Sequence, residues 1–339
     1  MPSSAATPFF HVLKTQQFDR ALLDGMCELT TAVRRVAKTR EGLTFLRGLL
    51  ADKRAMLYFT QPSTRTFLSF NNACQLLGIQ TSEIRDASTS SEIKGESLLD
   101  SLRTFSSYVD VIIMRTKEEG LAESAANLFD HIRRPVPVLN AGSGKDQHPT
   151  QALLDIYTLE RSFRHRGGID GKTIAMMGDL KRGRTVRSLS YLMKVYKDVN
   201  LVFIAPPAFK MEEDIKAHLR EYGVAYTETE DMESVLPSLD GLYVTRIQDE
   251  YDQGGESSKV DLSRFKLGME HLPRMRKDAV IMHPLPRRDE IHPDVDEDPR
   301  AKYWRQERNG MWMRAAILTK IFGVDGQIPR ASGVDSMDD

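Results

Sequence analysis

The chain has 339 residues, 40% of them hydrophobic, two cysteines and a formal net charge of −1. That length supports two domains with ordinary cores, and near-zero net charge sets aside a nucleic-acid binder, which would be basic overall or in long patches. Cys27 and Cys74 cannot build a disulfide framework or a cysteine-rich zinc site. With no apolar run near the ~18 residues of a membrane span and no basic or apolar leader at the start, a soluble, cytoplasmic chain with no membrane partner is expected.

Residues 17 to 50 carry Phe18, Leu22, Leu23, Met26 and Leu29, then Leu43, Phe45, Leu46, Leu49 and Leu50, a spacing that predicts two helices. The apolar run Ala55-Met56-Leu57-Tyr58-Phe59 predicts a buried strand, and Phe67, Phe70, Cys74 and Leu77 recur at helical spacing up to Gly78. Between strand and helix lies Ser63-Thr64-Arg65-Thr66. A helix start leaves N–H groups unpaired and carries partial positive charge, so two hydroxyl residues and a guanidinium there make an anion site that suits phosphate. An ordinary cap beside a surface arginine explains these four residues taken alone; the rest of the chain argues for the anion.

Residues 86 to 96 are small and polar and form a long loop. Ser97 to Tyr108 is a helix with Leu98, Leu99, Leu102 and Phe105 inward, and Val109 to Met114 is a strand ending at Arg115. Val136 to Asn140 is a third strand, and a helix starts near His148-Pro149. The second half repeats this grammar. Thr173 to Met177 precedes the turn Gly178 to Thr185, Leu201 to Ala205 follows, Leu242 to Thr245 precedes Arg246, and Ala279 to Met282 precedes His283-Pro284-Leu285-Pro286-Arg287. Alternating strands and helices predict an α/β fold of two doubly wound domains, each a parallel sheet covered by helices. The expected division is 1–150, completed by a C-terminal helix over 305–325, then 151–304, with 326–339 a disordered tail.

In such sheets ligands bind beyond the C-terminal strand ends, which is where Arg65, Arg115, His148, Gln151, Arg184, Arg246, Gln248 and His283 fall. Any one of them is ordinary; four arginines together point to a ligand with several negative charges. Gly178 to Thr185 approaches a nucleotide-binding P-loop, but arginine stands where lysine is needed and no acidic strand end offers to hold magnesium. There is no H-E-x-x-H, C-x-x-C or G-x-S-x-G motif, so no metal or cofactor is expected.

Ser63-Thr64-Arg65-Thr66, His148-Pro149-Thr150-Gln151 and His283-Pro284-Leu285-Pro286-Arg287 resemble the signatures of the transcarbamoylases, in order and spacing, from about residue 10 to residue 322. Lys94-Gly95-Glu96, Gly178 to Val186 and Thr245-Arg246-Ile247-Gln248 are similar to the members that use aspartate. The resemblance implies transfer of a carbamoyl group from carbamoyl phosphate to the amine of L-aspartate, giving N-carbamoyl-L-aspartate and phosphate in pyrimidine synthesis. The first domain would take carbamoyl phosphate and the second aspartate. Ser63, Thr64, Arg65, Thr66 and Arg115 would hold the phosphate group, and Thr66, Arg115 and His148 would polarise the carbonyl oxygen. Gln151 with the backbone carbonyls of Pro284 and Leu285 would hold the NH2 group. Arg184 would bind the α-carboxylate, Arg246 and Gln248 the β-carboxylate, with Lys94 also on aspartate. Ser90 and Lys94 would come from a neighbouring subunit, implying a homotrimer with shared sites; regulatory subunits are left open. The alternatives are a transcarbamoylase with another amino acceptor and a silent paralogue that binds a partner chain. Three residues depart from the family pattern: Gln61 replaces a usual Glu, Tyr251 an Arg, and Phe67 an Arg. The first two changes remove both ends of a contact of the closed state, so weak or absent aspartate cooperativity is expected.

Overall fold

The computed structural model describes residues 10–86, 95–143, 147–248 and 260–329. Helices α1 (Arg20–Val36) and α2 (Arg40–Leu49) lead into strand β1 (Arg54–Phe59), helix α3 (Thr64–Leu76) and strand β2 (Gln80–Ile84). Helix α4 (Leu98–Ser106), strand β3 (Val111–Arg115), helix α5 (Leu121–Asp130) and strand β4 (Val138–Asn140) complete a four-stranded parallel sheet of order β2-β1-β3-β4. Helix α6 (Pro149–Phe163) then runs to a second unit. Its elements are β5 (Thr173–Met177), α7 (Arg184–Leu192), β6 (Asn200–Ile204), α8 (Glu213–Glu221), β7 (Ala225–Thr229), α9 (Met232–Val235), β8 (Gly241–Val244) and β9 (Val280–Met282). They form a five-stranded parallel sheet of order β7-β6-β5-β8-β9. The final helix, α10 (Tyr303–Ile321), returns to pack on α3, α6 and α1.

The strand order fixes where a ligand can sit. β1 pairs with β2 on one side and β3 on the other, so chain connections diverge between β1 and β3 and open a crevice at their C-terminal ends. Phe59 and Arg115 are partners in that register. The second sheet diverges likewise between β5 and β8, where Met177 pairs with Val244. The interior strands β1, β3 and β5 are apolar and buried apart from a terminal Arg54, Arg115 or Thr173, as sheets covered on both faces require.

The α/β expectation holds, with local corrections. β2 and β7 escape a reading based on apolar runs because they are edge strands: Gln80-Thr81-Ser82-Glu83-Ile84 has no fully buried position, nor does Ala225 to Thr229. Leu99, expected inward, is exposed on α4, while Leu102 is fully buried. The expected disorder of the tail does not begin at 326, since Ile328 is packed into the core; residues 330–339 lie outside the described residues. So do Ser90, Lys94 and Tyr251.

Candidate active site

Both crevices open into one cleft of about 380 Å³. Its lining includes Ser63, Thr64, Arg65, Thr66, Arg115, His148, Gln151, Arg184, Arg246, Gln248, Pro284 and Leu285, so every described residue singled out for the site is brought together. Five arginines face one carboxylate among its lining residues.

At the first crevice, β1 ends and Gln61 continues the pairing by donating its backbone N–H to the Arg115 carbonyl at 3.1 Å. The chain then turns into α3, with Ser63 at the N-cap. The Ser63 side chain makes no capping bond, so its hydroxyl and the free N–H groups of the first turn remain open to an anion. Thr66 is buried at the cleft floor. Arg115, at the end of β3, donates from Nη1 to the Ala141 carbonyl at 3.1 Å, which fixes the plane of its guanidinium. Gly142 follows with φ +94°; a Cβ there would lie 2.8 Å from Arg115 Nη1 and 2.6 Å from His148 Cδ2. Only glycine lets the arginine and the imidazole approach the same point.

His148 opens α6, and its backbone N–H donates to Ser188 Oγ of α7 at 3.0 Å, tying the first sheet's crevice to the second unit. Its Nδ1 is buried without a hydrogen-bond partner among the described residues. Burial, followed by the charges of Arg115, Arg314 and Arg184, holds the ring well below the usual histidine range. The imidazole is therefore neutral at physiological pH, and it can polarise an oxygen only as a neutral N–H donor.

One turn on, Gln151 Nε2 donates to Asp155 Oδ1 at 3.0 Å. Asp155 also accepts from Gln306 Nε2 at 2.7 Å and from the Tyr243 hydroxyl at 2.9 Å. This buried carboxyl joins α6, β8 and α10, and by taking the Gln151 NH2 group it turns the amide oxygen toward the cleft. Burial pushes Asp155 up to about 7, against the three donors. A carboxyl raised in the folded state binds a proton that the unfolded chain has already released between about pH 4 and 7. Stability should therefore fall as pH rises through that window. Melting temperatures at pH 5 and 7.5 should show a decline in the parent that is smaller in Asp155→Asn; equal declines would contradict the assignment.

At the second crevice, Gly178 follows β5 with φ +118°, and a Cβ there would sit 2.0 Å from the Thr245 carbonyl oxygen. The loops after β5 and β8 are thus pressed together. Asp179 fastens them, accepting from the Arg182 N–H at 3.0 Å and the Gln248 N–H at 3.1 Å. Arg184 begins α7 and donates to the Gly142 carbonyl at 2.7 Å and to Gln61 Oε1 at 3.4 Å. Arg246 and Gln248 lie beyond β8, and Arg246 Nη1 donates to the Ile247 carbonyl at 2.9 Å. After β9, His283 Nδ1 accepts from the Leu285 N–H at 2.8 Å, so Nε2 carries the proton and donates to Glu290 at 2.7 Å. That pair shapes the turn bringing Pro284 and Leu285 to the cleft. Phe67, which stands in place of an arginine, packs edge-on against Phe59 under the Arg85 guanidinium.

Three residues were not anticipated: Asp155, Glu307 and Arg314. Asp155 had a faint signal, a lone acid within the apolar stretch Ala152 to Tyr157. Glu307 and Arg314 sit on the charge-rich helix α10, where nothing in the sequence separates a cleft residue from a solvated one.

A neutral imidazole, a helix N-terminus and five arginines between two α/β sheets define a group-transfer site for two anionic small molecules. The chain belongs to the aspartate/ornithine carbamoyltransferase family. The carbamoyl-P binding domain of that family matches residues 11–161, and its Asp/Orn binding domain matches residues 170–321. The chain is 42% identical over 315 residues to aspartate carbamoyltransferase 1, chloroplastic, of Pisum sativum, covering 91% of this chain and 77% of that protein. It is 41% identical over 313 residues to the aspartate carbamoyltransferase catalytic subunit of Thermococcus gammatolerans, covering 92% and 97%. Among solved structures, aspartate transcarbamoylase from Trypanosoma cruzi in complex with carbamoyl phosphate is similar with TM-score 0.84 and 35% identity, covering 94% of this chain and 98% of that one. The same enzyme with N-(phosphonacetyl)-L-aspartic acid gives TM-score 0.83 and 34% identity over the same shares.

Proposed function

We propose that the chain transfers the carbamoyl group of carbamoyl phosphate to the amine of L-aspartate, releasing N-carbamoyl-L-aspartate and phosphate, a step of pyrimidine synthesis. The observation that carries this reading is the meeting of both crevices in one arginine-lined cleft. The phosphate group sits on the N-terminus of α3, held by Ser63, Thr64, Arg65 and Thr66 with Arg115. Thr66, Arg115 and the neutral His148 point donors at the carbonyl oxygen. The Gln151 amide oxygen and the carbonyls of Pro284 and Leu285 accept from the carbamoyl NH2 group. Arg184 takes the α-carboxylate of aspartate, and Arg246 with Gln248 the β-carboxylate.

The aspartate amine attacks the carbonyl carbon, negative charge gathers on the oxygen, and the bond to phosphate oxygen then breaks as the departing phosphate takes up the proton lost by the amine. Donors fixed in advance at that oxygen stabilise the charge as it develops, each worth about 3–4 kcal/mol. Holding two mutually repelling anions in line supplies much of the remainder. Ser90 and Lys94 are assigned to the site of a neighbouring subunit, which makes the working unit a homotrimer, and the compartment is assigned as cytoplasmic. The first unit, with α10 returning to it, is assigned to carbamoyl phosphate, and the unit from 151 to 304 to aspartate.

The decisive assay is phosphate release from carbamoyl phosphate with L-aspartate and L-ornithine offered separately. Release with aspartate alone is expected. Release with ornithine, or with neither, would overturn the acceptor assignment. Gln61 offers Arg184 a neutral amide at 3.4 Å where a carboxylate would make an ion pair. Aspartate saturation of the isolated chain should accordingly be hyperbolic, and a sigmoidal curve would refute this.

A further inference from the structure

Among the described residues, the one carboxylate lining the arginine-rich cleft belongs to Glu307. Glu307, Gly310 and Arg314 follow one another at intervals of three and four along α10 and so share one face of the helix. Gly310 leaves that face open: a Cβ there would lie 2.7 Å from Arg314 Nη1 and 3.0 Å from Leu154 Cδ2. The Arg314 guanidinium fills this space, donating to Ser69 Oγ at 2.5 Å and lying 4.9 Å from the Phe70 ring centroid. Glu307 is half-buried, and among the described residues its charge is met through space by Arg314 and Arg65 rather than by a contact hydrogen bond. Arg65 in turn feels Arg246 as a like charge. A pocket that only had to hold a phosphate group would bind it more tightly without this acid.

We propose that Glu307 is the counter-ion of the empty anion site and sets how firmly that site holds a phosphoryl group. It balances Arg65 and Arg314 while the cleft is empty, and it repels the phosphate dianion once the dianion has arrived, which favours product release. This rests on the reading of the cleft as a carbamoyl-phosphate site. Burial raises the Glu307 carboxyl, while Arg314 and Arg65 act against that rise. Other titratable groups nearby are Asp155 on α6 and Tyr243 on β8, with His148 before α6 and His283 after β9 lining the same cleft. A variant at Glu307 itself is therefore needed to separate its part.

The test is binding of sulfate, which stays a dianion from pH 5 to 9, and inhibition by inorganic phosphate, in the parent, Glu307→Gln and Glu307→Ala. Both variants should bind sulfate and phosphate about tenfold more tightly at pH 8, as expected when one unit charge is removed from the partly shielded cleft that takes the dianion. In the parent, sulfate affinity should improve as pH falls and Glu307 gains a proton, and that improvement should shrink in Glu307→Gln. A purely structural role would leave the pH profile unchanged. Equal or weaker anion binding by the folded variants would overturn the inference while leaving the carbamoyl-phosphate reading in place. A parent that binds neither anion nor carbamoyl phosphate would remove both.

Discussion

Arg115→Ala should lower kcat/KM for carbamoyl phosphate by about a thousandfold, the upper end of the effect of deleting one donor to a developing oxyanion. The reason is the double use of this side chain. One edge of its guanidinium is held by the Ala141 carbonyl, and the rest faces the cleft at the end of β3, beside the register position of Phe59. On the proposed roles alanine removes a donor to phosphate and carbonyl oxygen together, and it leaves the buried Ala141 carbonyl short of that donor, at a cost of about 1–3 kcal/mol in stability. Arg115→Lys keeps the charge but loses the planar fork, so it should recover less than a tenth of the parent activity. Steady-state kinetics decide the matter, with the melting temperature as control. An alanine variant within tenfold of the parent would show that Arg115 is not at the reacting group.

Arg246→Ala should act on the other substrate. Its guanidinium lies beyond β8, on the loop fastened by Asp179, and it is assigned to the β-carboxylate. Loss of charge-assisted bonds worth about 1.5–3 kcal/mol each should raise the KM for aspartate about a hundredfold and lower kcat with it. Carbamoyl phosphate binding should change by less than about threefold, because Arg246 is assigned to aspartate and not to the phosphate group. Near-parent aspartate turnover would mean that the acceptor has no second carboxylate in this position.

The parts of this site that the sequence makes legible share one property. Ser63 to Thr66, Arg115, Arg184, Arg246 and His283 each lie beyond an apolar run, so a parallel-sheet reading puts them at C-terminal strand ends, and the shared cleft lining shows that those ends meet. What escapes is whatever depends on side-chain direction or on edges. β2 and β7 are exposed and polar, with no periodic apolar signal. Asp155 looks like a stray acid in a helix until Gln151, Gln306 and Tyr243 are seen to converge on it. Glu307 and Arg314 are two charges among many on α10, and only packing against α3 and α6 turns them inward.

The return of α10 also governs the order in which a working protein can exist. The turn at Ser63 leaves the ribosome well before the helix that packs beneath it, since Arg314 lies 245 positions beyond its partner Ser69. The nascent first unit must wait without the Arg314 contacts to Ser69 and Phe70 until α10 has emerged. A stop codon or frameshift just ahead of α10 would therefore strike the crevice after β1, leaving a chain with nearly all its signature motifs and without the helix that packs beneath the site they form.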